Sequence, residues 1–239
     1  GDKWVLNGVK HFISNGHKAD WGVVFALNDA DKRARGGISA FIIERDQWKV
    51  GRIHEGMAGF EGQAEVVLED VEVSPENVVG REGYGFAEAM RFLGAGRLHI
   101  AAGAVGVAQF LLNMGADHAG QRQSFGKPIA SYQGIQWMLA DSATEIYAAR
   151  NMIYHCAWLI DQGKDAAKEM SMCKLFATEM VNEVCDRVLQ IHGGMGWMKE
   201  TRTEGFYRSL RVLRIVEGTS EIQRMMIARA VLGEVARRG

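Results

Sequence analysis

Only two prolines, Pro75 and Pro128, occur in these 239 residues, so the chain has few hard stops. Cysteine is scarce too. Cys156, Cys173 and Cys185 are odd in number, lie in helical patterns and lack metal-ligand spacing, so they read as core thiols of a reducing compartment. Neither sign of charge dominates: 28 Lys and Arg against 29 Asp and Glu give a formal charge of -1. That balance argues against a nucleic-acid groove and against a polybasic membrane patch, so an anionic ligand must be met by local features. The most apolar stretch, 100–116, is broken by Gln109 and Asn113 and falls short of the ~20 residues that span a bilayer. The seven histidines form neither HxxxH nor HExxH, and no metal site is expected from them. There is no Gly-x-Ser-x-Gly, no phosphate loop and no GxGxxG after a strand, so a Rossmann cofactor site is unsupported. No signal or transit peptide is visible.

What is present is a chain with 47% hydrophobic and 24% charged residues, enough for a packed core. Its first third reads as β. Trp4-Val5-Leu6, Asn7-Gly8 and Val9 to Ile13 together predict a two-residue hairpin. Further strands are expected at 21–27, 38–44 and 65–73, with a charged loop over 29–37, and Pro75 closes the region. Long helical patterns then cover 86 to about 119, 132–162, 166 to about 192 and 219–235. The third carries two apolar rows, 172/176/180/184/188 and 173/177/181/185, a width that requires cover on two sides. The expected class is α+β: an N-terminal antiparallel β domain (1–76) followed by an antiparallel four-helix-type bundle (77–239).

Several constellations could carry chemistry. Glu217 and Gly218 stand on a turn just before a helix that Thr219 or Ser220 can cap, and Ser220 with Gln223 has capping-box spacing. The carboxylate there is either a base toward a ligand across the helix end or a complement to the helix dipole. Gln190-Ile191-His192-Gly193-Gly194-Met195-Gly196 ends the third helix with more glycines than a left-handed cap needs, and such a turn lets N–H groups approach a diphosphate. Arg122 to Pro128 offers a guanidinium and the Phe125 ring; the plainer reading is a polar turn anchored by Phe125. Phe12 and Ser14 share one strand face by alternation, with Ile13 on the other. Arg97, after Gly94-Ala95-Gly96, either reaches a ligand in the bundle or pairs with a nearby acid.

Taken in order, five strings resemble the acyl-CoA dehydrogenase family over essentially the whole chain. They are Gly-Asp-Lys-Trp-Val-Leu-Asn-Gly-Val-Lys-His-Phe-Ile-Ser-Asn at the start, Glu65-Val-Val-Leu-Glu-Asp-Val-Glu-Val, Arg122-Gln-Ser-Phe-Gly, Gln190-Ile-His-Gly-Gly-Met-Gly and Glu217-Gly-Thr-Ser-Glu-Ile-Gln-Arg. The resemblance implies an FAD-dependent enzyme of fatty acid metabolism (β-oxidation) that converts an acyl-CoA thioester to the trans-2-enoyl-CoA. It implies that electrons pass to an electron-transferring flavoprotein. Glu217 matches the family's base, which takes the α-proton while the β-hydrogen leaves as hydride to the flavin. Phe12, Ile13 and Ser14 match the segment lining the flavin ring, and Thr219, Ser220 and Glu221 match helix-start flavin contacts. Arg122, Phe125, Gln133, Gln190, Ile191, His192, Gly193 and Gly194 match positions that hold the adenosine diphosphate half bound to a neighbouring subunit. Gly94, Ala95, Gly96, Arg97 and Gly218 match acyl-CoA contacts. A homo-oligomer is therefore implied, a dimer or a dimer of dimers (homotetramer), with no nucleic acid, membrane or metal. The expected location is cytoplasmic in a bacterium or the mitochondrial matrix in a eukaryote.

The chain also departs from the family pattern. Some members carry the base on the helix position matching Gly96, where glycine leaves Glu217 as the only candidate. Gly94 stands where many members have an acid and Val216 where many have tyrosine. The family's N-terminal helical domain and a middle-domain flavin loop have no counterpart, so a longer natural product is expected. Competing readings are a non-catalytic oligomerising fragment of this fold, or a fold-sharing flavin oxidase or monooxygenase.

Overall fold

The computed structural model describes residues 2–57 and 62–236. Two compact units divide the chain, Gly1–Phe92 and Leu93–Gly239. The strands are β1 (Trp4–Ser14), β2 (Trp21–Leu27), β3 (Ile38–Glu44), β4 (Lys49–His54), β5 (Gln63–Val73) and the short pair β6 (Gln123–Ser124) and β7 (Lys127–Pro128). The helices are α1 (Gly85–Gln121), α2 (Gln133–Asp161), α3 (Ala167–His192), α4 (Gly194–Trp197), α5 (Thr203–Leu210) and α6 (Ser220–Ala236). An antiparallel β unit followed by a helical unit is the expected class.

In the β unit, β1, β5 and β4 form one antiparallel sheet in that order, and β2 pairs with β3. Alternation puts Ala64, Val66 and Leu68 inward along β5, then the phase slips and Val71 and Val73 point inward. The slip falls at Asp70, whose φ of 50° is left-handed. Opposite it, Gly8 has φ 145° and the register shifts between Leu6 and Gly8. The Asn7 amide closes the irregularity, donating to Asp70 Oδ1 at 3.0 Å and accepting from the Asp70 N–H at 2.8 Å. Asn7-Gly8 is therefore a bulge inside one continuous strand, not the hairpin turn its sequence suggests. Phe41, Ile43, Trp48, Val66 and Leu68 fill the core, with the Trp48 indole N–H donating to the Gly16 carbonyl at 2.9 Å. Strand β4 was not foreseen, and the expected 29–37 loop includes a 3-10 turn, Arg33–Arg35.

The four long helices lie within one or two residues of their expected bounds. Helix α3 is the centre: Cys173, Ala177, Val181 and Cys185 in one row and Met180, Val184 and Val188 in the other are buried against α1, α2 and the segments that follow. Helix α1 as a whole is long and apolar enough by length and composition to cross a membrane, although its most apolar stretch alone is short. Its Ala101, Ala104, Val105, Ala108 and Leu111 belong to the bundle core. The two short helices α4 and α5 between α3 and α6 are additions to the expected bundle.

Phe41 is fully buried and packs edge-on against Trp4 at 5.6 Å between ring centroids. Phe41→Ala is expected to destabilise the β unit by about 3–5 kcal/mol in urea unfolding, the cost of a large core cavity.

Candidate functional site

Between the 3-10 turn Arg211–Arg214 and α6 the backbone turns left-handed twice, at Glu217 (φ 55°) and Gly218 (φ 90°). Glycine adopts this freely; a glutamate does not, and an L-residue stays there only when its surroundings hold it. Three side chains from three helices do so. The Gln223 amide donates to the Glu217 carbonyl at 3.2 Å and to the Gly218 carbonyl at 3.0 Å. Lys174 Nζ donates to the same Gly218 carbonyl at 2.8 Å, and Arg97 Nε approaches the Glu217 carbonyl at 3.5 Å.

The carboxylate of this turn lies over Gly96. A Cβ at position 96 would stand 2.9 Å from Glu217 Oε2, so the glycine makes the space the acid occupies. Oε2 is buried without a hydrogen-bond partner, as are Ser220 Oγ and Gln223 Oε1 nearby in sequence. A buried oxygen without a partner keeps its hydrogen-bonding capacity open to a donor from water or from a ligand. Gly94 is buried, and a side chain there would touch Met170, whereas Ala95 is exposed: consecutive helical residues face about 100° apart. Arg97 is 7% exposed and has no ion pair among the described residues.

The helix start differs from the expected capping box. Thr219 caps α6, its hydroxyl accepting from the Ile222 N–H at 3.4 Å. Ser220 is buried instead, and Gln223 turns its amide to the two carbonyls. Glu221 is held below the usual carboxylate range, first by its own backbone N–H and then by the Thr219 hydroxyl.

Lys174 is the residue the sequence reading missed. It is fully buried. Burial pushes its ammonium down to about 8, and the Arg97 guanidinium adds to the effect. A signal existed: Ser171, Lys174 and Thr178 recur at helical spacing beside the two apolar rows of α3, and all three are fully buried.

A second set of residues meets at the other end of α3. His118, Arg122, Ser124, His192, Gly193 and Gly194 line a cavity of about 530 Å³. Gly193 is left-handed (φ 58°), and nothing stands within 4 Å of where a Cβ would sit on it or on Gly194, so a ligand can come close to this backbone. Ile191 closes the floor, while Gln190 is exposed. The His118 and His192 rings stack at 4.2 Å, and His118 is held below the usual imidazole range by burial, then by His192 and Arg122. Phe125 does not anchor its turn: it is 95% exposed, with φ 51°, at the tip of the β6–β7 ribbon. It and Gln133, exposed at the start of α2, do not line the cavity.

In the β unit, strict alternation fails at the predicted flavin segment. Phe12 has φ 56° within a register shift between Lys10 and Ile13. Ile13 and Ser14 consequently line one cavity of about 270 Å³, while the Phe12 ring lies 4.9 Å from the His54 ring. The bulge also brings together His11, His54 and Glu65 from three strands. Glu65 Oε1 lies 3.3 Å from His11 Nδ1 and 3.8 Å from His54 Nε2, a donor set of the type that can hold a metal. Sequence spacing within one segment cannot reveal such a group.

Comparison with known proteins bears on these residues directly. The family model described as acyl-CoA dehydrogenase, C-terminal domain, matches residues 83–232, and that for the middle domain matches 1–71. An acyl-CoA dehydrogenase of Bacillus subtilis is 43% identical over 235 residues, covering 97% of this chain and 62% of the relative. The caffeyl-CoA reductase-Etf complex subunit CarC of Acetobacterium woodii is 42% identical over 236 residues, with the same coverage of 97% and 62%. The solved structure of butyryl-CoA dehydrogenase from Megasphaera elsdenii superimposes with a TM-score of 0.91 at 36% identity, over 96% of this chain and 61% of that one. The chain thus spans about three fifths of the length of these relatives.

Two outcomes follow from the geometry. Gly96→Glu is expected to cost about 1–3 kcal/mol by crowding the Glu217 carboxylate, and Gly96→Glu with Glu217→Gly is expected to recover most of it; thermal unfolding of the three proteins checks this. Between pH 8 and 10.5 the unfolded chain keeps a proton on Lys174 that the folded chain has released. Folding stability should therefore rise with pH across that window by up to about 3 kcal/mol, and the rise should be missing from Lys174→Met in urea titrations.

Proposed function

The chain belongs to the acyl-CoA dehydrogenase family, and on that footing we propose that it is the β and helical part of a flavoenzyme acting across the α,β bond of an acyl-CoA thioester. One observation carries the reading: a half-buried glutamate, Glu217, is held on a strained turn over a glycine, with one carboxylate oxygen buried and left unpartnered. Such a carboxylate is placed to take an α-proton from a thioester lying along Gly94, Gly96 and Gly218. In water that proton is too weakly acidic for a carboxylate, so the site must exclude solvent and supply donors to the thioester oxygen. Arg97 supplies a buried positive charge beside the turn.

FAD is the cofactor this reading requires; when bound it accepts the β-hydrogen with its electron pair, and an electron-transferring flavoprotein takes the electrons onward. The residues present fit the group. The start of α6, with the orphaned Ser220 hydroxyl, suits an anionic or hydrogen-bonding part of it. The Arg122, His192, Gly193 and Gly194 cavity suits a diphosphate and adenosine, and Phe125 projects an exposed ring beyond it. Phe12, Ile13 and Ser14 are assigned to the flavin ring. In this arrangement the adenosine half belongs to a neighbouring copy, so the working protein is a homo-oligomer, a dimer or a dimer of dimers. The same carboxylate returns a proton to the α-carbon when the reaction runs toward reduction, the direction in the name of the A. woodii relative. The electron donor or acceptor then sets the direction.

Glu217→Gln is expected to bind FAD within about threefold of the parent while dye-coupled oxidation of acyl-CoAs falls by about 10³-fold. Flavin absorbance and a screen of acyl chain lengths measure both. Near-parental turnover in the variant would remove Glu217 from the reaction, and a parent protein that takes up no flavin would remove the reaction itself.

A further inference from the structure

Among the buried polar side chains of α3, Lys174 stands apart. The Ser171 hydroxyl donates to the Ala167 carbonyl and the Thr178 hydroxyl to the Lys174 carbonyl, so both are satisfied within their own helix. Lys174 alone reaches away from it, carrying a fully buried ammonium to the carbonyl of Gly218. It has no carboxylate partner in an ion pair among the described residues. The charged groups acting on it are Arg97, which opposes it, and Glu217, Glu179 and Glu221, which favour it. A buried ammonium is costly to desolvate, and a methionine of similar length would fill the space. The charge is therefore spent on what it touches.

What it touches is the turn that carries Glu217. None of the described peptide bonds is cis, and in a trans peptide the N–H points opposite the C=O. Lys174 and Gln223 draw the Gly218 carbonyl into the interior, and Gln223 with Arg97 draws in the Glu217 carbonyl. The N–H groups of Thr219 and Gly218 consequently point away from those three donors. We propose that Lys174 is a positioning residue for the Glu217 base: its ammonium locks the left-handed 217–218 turn so that the carboxylate stays over Gly96 and the N–H groups of Gly218 and Thr219 face the ligand. The proposal rests on the reading of Glu217 as the base. Lys174 itself need not touch substrate.

Lys174→Met and Lys174→Gln, each loaded with FAD, test it in two measurements. In Lys174→Met, amide hydrogen exchange over 217–222 should quicken about tenfold, with core amides such as Val181 and Val184 unchanged. The kcat for acyl-CoA oxidation should fall about 10²-fold, as for a misplaced catalytic group, with KM and FAD affinity within about twofold. Any change in the kcat–pH profile near pH 8 should disappear with the lysine. Lys174→Gln, which keeps a donor, should recover part of both losses, and it is read in place of Lys174→Met if that variant does not fold. Unchanged exchange at the turn, or unchanged kcat in Lys174→Met, overturns the assignment, as does a loss of kcat matched by a general loss of protection across the core. A parent protein that binds FAD but oxidises no acyl-CoA defeats the reading of Glu217 instead; the exchange experiment then still decides whether Lys174 holds the turn.

Discussion

The left-handed backbone at Glu217 is the constraint on which the candidate site depends. An L-residue in that conformation is strained by about 1–3 kcal/mol, and the chain keeps it there through donors that arrive from α1, α3 and α6. The position of one carboxylate is thus set by the packing of three helices rather than by the turn's own sequence.

Much of the architecture was legible because its signals are local. The two apolar rows of α3 announce a helix covered on two sides, and β2 and β3 follow from their aromatic and β-branched content. Asn7-Gly8 misled for a physical reason: the dipeptide that makes a tight turn also makes a bulge, and only the partner strand at Asp70 decides between them. Strand β4 was invisible because Lys49–His54 carries only two half-buried residues, Val50 and His54, among exposed ones and lies at the sheet edge. The short helices α4 and α5 escaped because eight residues or fewer give too little periodicity.

The site was legible to a different degree. Motif strings named Glu217, Arg122 and the Gly193-Gly194 turn; Arg122 and the glycine turn line one cavity, while Glu217 stands apart from them over Gly96. Ala95, Phe125, Gln133 and Gln190 join neither group, because their side chains are exposed. Lys174 carried no motif; its meaning comes from contact with a residue 44 positions away. The backbone offers an independent pointer. Phe12, Phe125 and Glu217 are three of the six non-glycine residues with positive φ among the described residues, and each stands in a string singled out for ligand chemistry.

The closeness of Gly96 to the Glu217 carboxylate has an evolutionary corollary. Helix and turn share one berth, wide enough for a single acid that either element can furnish. Moving the acid from the turn to the helix takes two substitutions, and each intermediate is impaired, by having two occupants or none. The two placements should therefore persist as separate inherited solutions, with little traffic between them.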